Sequence, residues 1–451
     1  MKKLIIFLWA GLLSIGNLYP QQTLTLEACR HLAIQNNKEL RISKEKIKVA
    51  EYEKKAAFTK YFPELSASGA YLRNEKEIVL LKPGSFGALE SLLPPGINDL
   101  FRLDIQNVWI GGVSLVQPVF MGGKIVYYNQ ITQYAKALAE SMNDAKLQDI
   151  ICQIDETYWQ VISLVNKKKL SESYWQLLQK MNRDVEEMIT EGVATRAEGL
   201  SVKVKLNEAE MAQTRVENGL SLSRMLLAQL CGLPLDQPIT LADEMLQETL
   251  SPENWGAEVI LGTEPVNRPE LRSLDLAAQI YRKKERIVLA DLLPSVALSA
   301  NYLLTNPSSF NGFKNEFGGM FNAGLMVKLP LSAWWEGTHK RNAARAETLI
   351  KRLEYDEARE KIALQVNQSV YQVNEARKKL AVSARNVESA EENLRHAQTG
   401  FEEGVIPALN LMEAQTAWVS AHSELINAQI EVKLTEVYWA KAVGKLIPGH
   451  E

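Results

Sequence analysis

Between Lys124 and Thr190 the chain runs for 67 residues without a proline or a glycine. Those two residues are the strongest breakers of helix, one by removing a backbone donor and the other by loosening the chain. A helix of that length spans roughly 100 Å at 1.5 Å of rise per residue. No globular domain built from 451 residues needs such a rod. The stretch predicts long helices packed side by side.

The apolar spacing supports this. Leu147, Ile151, Ile154, Tyr158, Val161 and Val165 step by 4 and 3, as do Val387, Ala390, Leu394, Ala397 and Phe401. The cleanest run is Leu411, Ala414, Trp418, Ala421, Leu425, Ala428, Val432, Thr435 and Trp439. Sustained steps of this kind predict coiled-coil packing, and the alternation of large and small residues suits close helices. The flanking helices are shorter, near 23–60 and 200–232, and end to end they match the long one. A second set follows the same plan, with 338–402 long and 265–291 plus 409–443 short.

The two sets belong to an internal repeat, the feature to seek first in a chain of this kind. Asn37-Lys-Glu-Leu-Arg41 resembles Asn267-Arg-Pro-Glu-Leu-Arg272, and Glu39, Pro63 and Tyr71 correspond to Glu270, Pro294 and Tyr302 at an offset of 231. From Gly112 and Pro118 against Gly324 and Pro330 the offset becomes 212, and Glu191-Gly192-Val193 then matches Glu403-Gly404-Val405. One length difference of 19 residues therefore falls after each tyrosine, in a tolerant loop. The expected organisation is a first repeat over 22–232, a linker of distinct, proline-bearing composition over 233–264, and a second repeat over 265–451.

Each copy also carries two segments of period-2 patterning. Val296, Leu298, Ala300 and Tyr302 alternate with Ser295, Ala297, Ser299 and Asn301, and Leu65, Ala67, Gly69 and Tyr71 take the matching places in the first copy. Leu325, Val327 and Leu329, and Val113 and Leu115, mark the second strands. Alternation over about 10 residues is the signature of a membrane barrel strand, with Tyr71 and Tyr302 as candidate interfacial aromatics. Four strands close no barrel, and an open edge is forbidden in lipid. The strands are either soluble hairpins or one share of a barrel built by several chains, and the shared barrel is favoured.

At the chain start Lys2 and Lys3 precede an apolar run from Leu4 to Ile15, too short to span a bilayer. Residues 1–21 read as a signal peptide, with cleavage between Gly16 and Gln22. Leu26-Glu-Ala-Cys29 loosely imitates a lipobox but lies too far beyond the apolar run. The three cysteines, Cys29, Cys152 and Cys231, are far apart and odd in number, and read as small apolar residues on helices. A formal charge of −3 and a pI near 6.1 give no basic face for nucleic acid.

Nothing in the chain assembles an enzyme. The five histidines are dispersed without an H-E-x-x-H, and no G-x-S-x-G occurs. Gly122-Gly123-Lys124 is no P-loop, because Pro118 stands where the first glycine belongs, so these glycines turn the chain from strand to helix. No cofactor or metal is expected. The first loop, 73–111, holds Pro83, Gly84, Pro94, Pro95 and Gly96, and the second holds Phe310, Phe313, Phe317 and Phe321. They read as packed loops or as shields of an outer mouth.

With repeat, strands and hairpin tips in place, the chain resembles the TolC-like outer membrane efflux proteins. Four segments carry the resemblance: Leu24-Thr-Leu-Glu-Ala-Cys-Arg-His-Leu-Ala-Ile-Gln-Asn-Asn37, Pro118-Val-Phe-Met-Gly-Gly123, Gly404-Val-Ile-Pro-Ala-Leu-Asn-Leu-Met-Glu-Ala-Gln415 and Ala442-Val-Gly-Lys-Leu446. Their doubled order is more specific than any one of them. The resemblance implies an α+β membrane protein: a homotrimer sharing a 12-stranded β-barrel, four strands per chain, continuous with a long periplasmic α-helical coiled-coil barrel. It implies a passive exit duct in outer-membrane lipid, coupled to an inner-membrane transporter through a periplasmic adaptor. The alternative is a non-conducting periplasmic coiled-coil scaffold.

The resemblance also places a gate at the hairpin tips. The candidate residues are Gly192, Arg196 and Glu198 in the first tip and Gly404, Asn410 and Glu413 in the second. In the family, acids here form charged rings. Asn410 replaces the first acid and Glu413 keeps the second. Ile406 stands where the family can place an arginine, so a closing bond there is not supported. The unlike tips make the second hairpin the expected mover.

Overall fold

The structure is a computed structural model that describes residues 22–80, 85, 87, 102–245 and 268–446. The expected signal peptide, the first loop's Pro83, Gly84, Pro94, Pro95 and Gly96, and the linker beyond residue 245 lie outside the described residues.

The chain begins with β1 (Gln22–Leu24), α1 (Leu26–Asn36), α2 (Lys38–Phe58) and β2 (Glu64–Arg73). A small strand pair, β3 (Ile78–Val79) and β4 (Arg102–Leu103), precedes β5 (Asn107–Phe120), α3 (Lys124–Thr190) and α4 (Arg196–Cys231). After β6 (Ile239–Leu241) come α5 (Pro269–Ala290), β7 (Ser295–Asn306), β8 (Gly318–Lys328), α6 (Ala333–Glu402) and α7 (Ala408–Ala442). Among the described residues no helix is long and apolar enough to cross a membrane.

The proline- and glycine-free stretch is one helix of 67 residues, and its counterpart α6 has 70. The helix α6 starts before Gly337, which the sequence reading had placed outside it. Gly337 is buried, and Leu292 occupies the space a Cβ would need. That glycine serves packing, not termination. The expected first helix, 23–60, is two helices. At Asn37 the backbone turns extended (φ −61°, ψ 126°). The Asn37 N–H still donates to Ala33 O, closing α1, while its Oδ1 accepts from the N–H of Glu39 at 2.9 Å and of Leu40 at 3.3 Å, opening α2. One asparagine ends one helix and caps the next.

Among the described residues the contacts divide the chain into two compact units. The first comprises residues up to 46, 140–273 and 356 onward. Its core gathers Ile150, Ile154, Tyr158 and Val161 of α3 with Cys29 and Ala33 of α1, Leu227 and Cys231 of α4, and Leu241 of β6. Strand β1 pairs in parallel with β6, Gln22 against Ile239 and Leu24 against Leu241. Several buried polar groups here are partnered across elements. The Tyr158 hydroxyl donates to Asp243 at 2.6 Å, and Arg30 grips the fully buried Asp155 through Nε at 2.7 Å and Nη2 at 2.5 Å. Burial pushes the Asp155 carboxyl up despite that arginine, and it pushes the Tyr158 phenol up as well. Arg268 donates to the carbonyls of Lys441 and Ala442 at 3.1 and 2.9 Å, satisfying the free end of α7. The apolar runs read from the sequence are this unit's buried seams: Ile151, Ile154, Tyr158 and Val161 on α3, and Leu411, Ala414, Ala428 and Val432 on α7.

The second unit comprises residues 47–139 and 274–355. It holds a four-stranded antiparallel sheet in the order β2-β5-β7-β8. The patterning gave each strand pair, and the structure adds the β5–β7 pairing between them. Strand β5 starts at Asn107, inside the segment read as loop, and continues past Pro118, where the register shifts before Phe120. A proline is tolerated at such a shift because no ladder hydrogen bond needs its missing N–H. Phe321, read as a loop residue, lies in β8, whereas Leu329, read as a strand residue, lies beyond it. Gly122 (φ +63°) and Gly123 (φ +86°) turn the chain from β5 into α3, as their sequence position implied.

Candidate functional site

Two places carry the expected site residues, one in each unit. In the first unit they are the helix-hairpin tips. Helix α3 ends at Gly192 (φ +77°), whose N–H donates to Ile189 O at 3.1 Å, and Val193 N–H returns to Met188 O at 2.9 Å. Helix α6 ends in the same way at Gly404 (φ +73°), with Gly404 N–H on Phe401 O at 3.0 Å and Val405 N–H on Gly400 O at 2.8 Å. A left-handed glycine with this bond pair is the Schellman stop, and no other residue adopts that backbone as cheaply.

Beyond the glycines the tips diverge. In the first, Thr195 Oγ1 accepts from Glu198 N–H at 3.3 Å, while Glu198 Oε2 accepts from Thr195 N–H at 2.7 Å and from the Thr195 hydroxyl at 2.9 Å. This reciprocal capping box locks the start of α4. The bond from the Thr195 backbone, with the hydroxyl behind it, holds the Glu198 carboxyl below the usual carboxylate range. In the second tip Pro407 occupies the cap position, which carries no side-chain hydrogen bond, and Asn410 N–H reaches Pro407 O at 3.1 Å. Arg196, Asn410 and Glu413 are exposed.

Behind the tips the hairpins share a core. Met181 and Val185 of α3 and Val202 of α4 pack with Leu394 and Phe401 of α6 and Leu411 of α7. Lys203 pairs with Glu186 at 2.8 Å within the first hairpin, and Lys180 reaches Glu402 at 3.3 Å across to the second. The structure therefore brings the two sets of candidate residues onto one packed four-helix end. It also shows what the motif reading missed. Val193 (69% exposed) and Val405 (73% exposed), each directly after its glycine, project bare, with Leu200 and Leu409 exposed nearby. The repeated Glu-Gly-Val had marked the repeat without revealing that its valine is uncovered.

In the second unit the site is the sheet. Residues paired across antiparallel strands share a face, so the register sorts the side chains without further assumption. One face carries Leu65, Ala67 and Tyr71 of β2, Val113 and Leu115 of β5, Val296, Leu298, Ala300 and Tyr302 of β7, and Phe321, Leu325 and Val327 of β8. Every position read as outward within these strands falls here. The opposite face carries one polar row across all four strands, Ser66–Ser114–Asn301–Asn322. Ser114 Oγ donates to Asn301 Oδ1 at 2.6 Å, and Asn301 Nδ2 donates to Asn322 Oδ1 at 3.0 Å.

Tyr71 and Tyr302 both lie on the apolar face, half exposed. Tyr71 packs against Trp109 with ring centroids 4.6 Å apart, and its hydroxyl donates to Asn107 at 2.8 Å. Tyr302 pairs with Phe321, and its hydroxyl lies over Gly319, where any side chain would collide with it. They are not level: Tyr302 shares a row with Ala67, so Tyr71 stands four residues farther along, roughly 13 Å. Trp109 and Phe321 are aromatic partners that only the register exposes. Among the described residues no group of histidine, cysteine and acidic side chains is placed to hold a metal ion.

Residues 262–445 match the family model for outer membrane efflux proteins. Among curated proteins, the alkaline protease secretion protein AprF of Pseudomonas aeruginosa is 21% identical over 330 residues, covering 72% of this chain and 67% of that one. Among solved structures, the CmeC outer membrane channel of Campylobacter jejuni superposes with a TM-score of 0.77 at 15% identity, covering 94% of this chain and 87% of that one. The outer membrane protein VceC of Vibrio cholerae gives 0.72 at 16% identity, over 93% and 96%. The fold is that of these outer-membrane proteins, and the resemblance seen in the sequence holds.

Proposed function

We propose that this chain, whose residues 262–445 carry the outer membrane efflux protein signature, is a passive outer-membrane exit duct for efflux or secretion. It is not an enzyme; the proteins it matches are channels and secretion proteins. Its sheet sits in the outer membrane and its helices extend into the periplasm. Three copies join their four-stranded sheets into a 12-stranded barrel, and energy comes from an inner-membrane transporter coupled through a periplasmic adaptor. The chain divides into a first repeat, 22–232, a linker, 233–264, and a second repeat, 265–451.

The observation that carries this reading is the two-faced sheet. An apolar face continuous over four strands, backed by a hydrogen-bonded polar row, is what lipid on one side and water on the other require. The sheet ends in two edges, β2 and β8, and edges are not tolerated in hydrocarbon. Neighbouring copies remove them. Tyr71 and Tyr302, with Trp109 and Phe321, form the interfacial aromatics, their different heights matching strands that cross the barrel at a tilt.

The tips are the gate and the adaptor contact. Bare Val193 and Val405 supply apolar surface to a partner. Gly192 and Gly404 shape the turns, and Arg196, Glu198, Asn410 and Glu413 line the end. The second hairpin moves and the first stays, because α4 begins in a reciprocal cap and α7 does not. Protein extracted in detergent and added to a planar bilayer is expected to conduct in discrete steps, and substitution of Asn410 and Glu413 to change closure. A non-conducting monomer, soluble without detergent, overturns the duct and leaves a periplasmic scaffold.

A further inference from the structure

The sequence reading took the three cysteines as remote from one another. The structure brings two of them together. Cys29, on α1, and Cys231, the last residue of α4, are separated by 202 positions and are both fully buried in one core cluster. The Cys231 thiol donates to the Cys29 carbonyl at 3.6 Å, which sets its sulfur directly against Cys29. We propose that Cys29 and Cys231 are joined by a disulfide in the mature protein, cross-linking the N-terminal helix to the end of the first repeat.

The backbone around the pair is held independently of the sulfurs. Asn37 Nδ2 donates to Leu230 O at 3.1 Å. Gly232 adopts a left-handed turn (φ +72°) directly against Asn36, where a Cβ would collide. Strand β1, five residues before Cys29, is pinned to β6. These three attachments hold α1 and the end of α4 in register, so little chain entropy remains to be lost when the bond forms. They also bear on the lipobox-like Leu26-Glu-Ala-Cys29. Thr25 caps α1 by accepting from Ala28 N–H at 3.2 Å, and Cys29 is interior. Cleavage before Cys29 would remove both that cap and β1.

Cys152 is the natural control. It is buried in a different cluster with Leu446, its thiol directed to Glu156 Oε1 at 3.5 Å, and burial pushes that thiol up to about 12. In the paired thiols, the bond to Cys231 and burial push Cys29 up. Oxidation begins when one of the two, as its thiolate, displaces one sulfur of a protein or small-molecule disulfide donor, forming a mixed disulfide and releasing a donor thiolate. The other cysteine loses its proton and attacks the sulfur of the first, releasing the second donor thiolate. Two electrons pass to the donor, and its two thiolates take up the two protons. Because both sulfurs are interior in the fold, the exchange takes place before the core closes.

The inference rests on the reading that these residues lie in the periplasm, an oxidising compartment. It is tested on cells quenched in acid, with the envelope fraction then denatured, alkylated without reductant and analysed by peptide mass spectrometry. Expected is a label on Cys152 alone, with all three cysteines labelled after reduction. The Cys29→Ser variant is expected to free Cys231 for labelling. Full labelling of all three in unreduced envelope protein overturns the cross-link and leaves the duct untouched. Recovery in the cytosol overturns the duct reading; the purified chain, refolded in a glutathione redox buffer, then decides the cross-link by the same labels.

Discussion

At the scale of the residue, Glu198 shows how a suspected gate acid can have a nearer task. Its position six residues after Gly192 placed it at the tip, and its bonds to Thr195 make it half of a capping box. Replacing it by alanine is expected to destabilise the start of α4 by about 1 kcal/mol, whereas Glu198→Gln retains a box that glutamine also satisfies. Thermal melts of the two variants check this. The pH dependence follows from the lowered carboxyl. The contribution is present above the ordinary carboxylate value and fades as pH falls through the lower folded value, so the wild-type advantage over Glu198→Gln shrinks only in acid. Thr195-Arg-Ala-Glu198 is a T-x-x-E pattern, so this role was legible in the sequence beside the resemblance-based one. The Gly192 and Gly404 turns were legible as well, because glycine alone adopts that backbone freely.

At the scale of the element, neighbouring residues on β7 are expected to respond in opposite ways. Ala300 lies on the apolar face and Asn301 in the polar row. Ala300→Arg places a charge against lipid and is expected to cost roughly 2–4 kcal/mol near the midplane, seen as lost folding into detergent or lipid. Asn301→Arg adds its charge to the polar row, the inner side of the proposed barrel, and is expected to fold and to shift ion selectivity towards anions in bilayer recordings. If both fold equally well, the faces are not what the register indicates. Strand faces were readable because period 2 leaves no choice once one residue is placed. Strand ends were less so, since Asn107 and the Gly111-Gly112 pair are turn-forming by type yet lie inside β5. Helix lengths followed from missing prolines and glycines. The break at Asn37 was hidden because asparagine closes one helix with its backbone N–H and opens the next with its side chain, with no proline or glycine to announce it. At Gly337 the error ran the other way: a breaker by type serves as a contact for Leu292.

At the scale of the whole molecule, the exposed edges β2 and β8 make the single chain incomplete in a membrane. Light scattering of the detergent-solubilised protein is expected to give three copies of a chain whose full sequence weighs 50.6 kDa. A stable monomer that still conducts would contradict the shared barrel. The connectivity also governs when folding can begin. A chain exported from its N-terminus delivers β1 first, yet the partner of Gln22 is Ile239, and Trp109, besides its local partner Tyr71, pairs with Asn306. Neither long-range pairing is available until most of the intervening polypeptide has crossed the inner membrane. Strand β1 is thus among the last to be secured, and the local pair β2–β5 waits in water with one edge of β5 unfilled. A holdase that shields such strands, and a slow step that follows completion of the chain instead of its synthesis, are the demands this topology places on the cell.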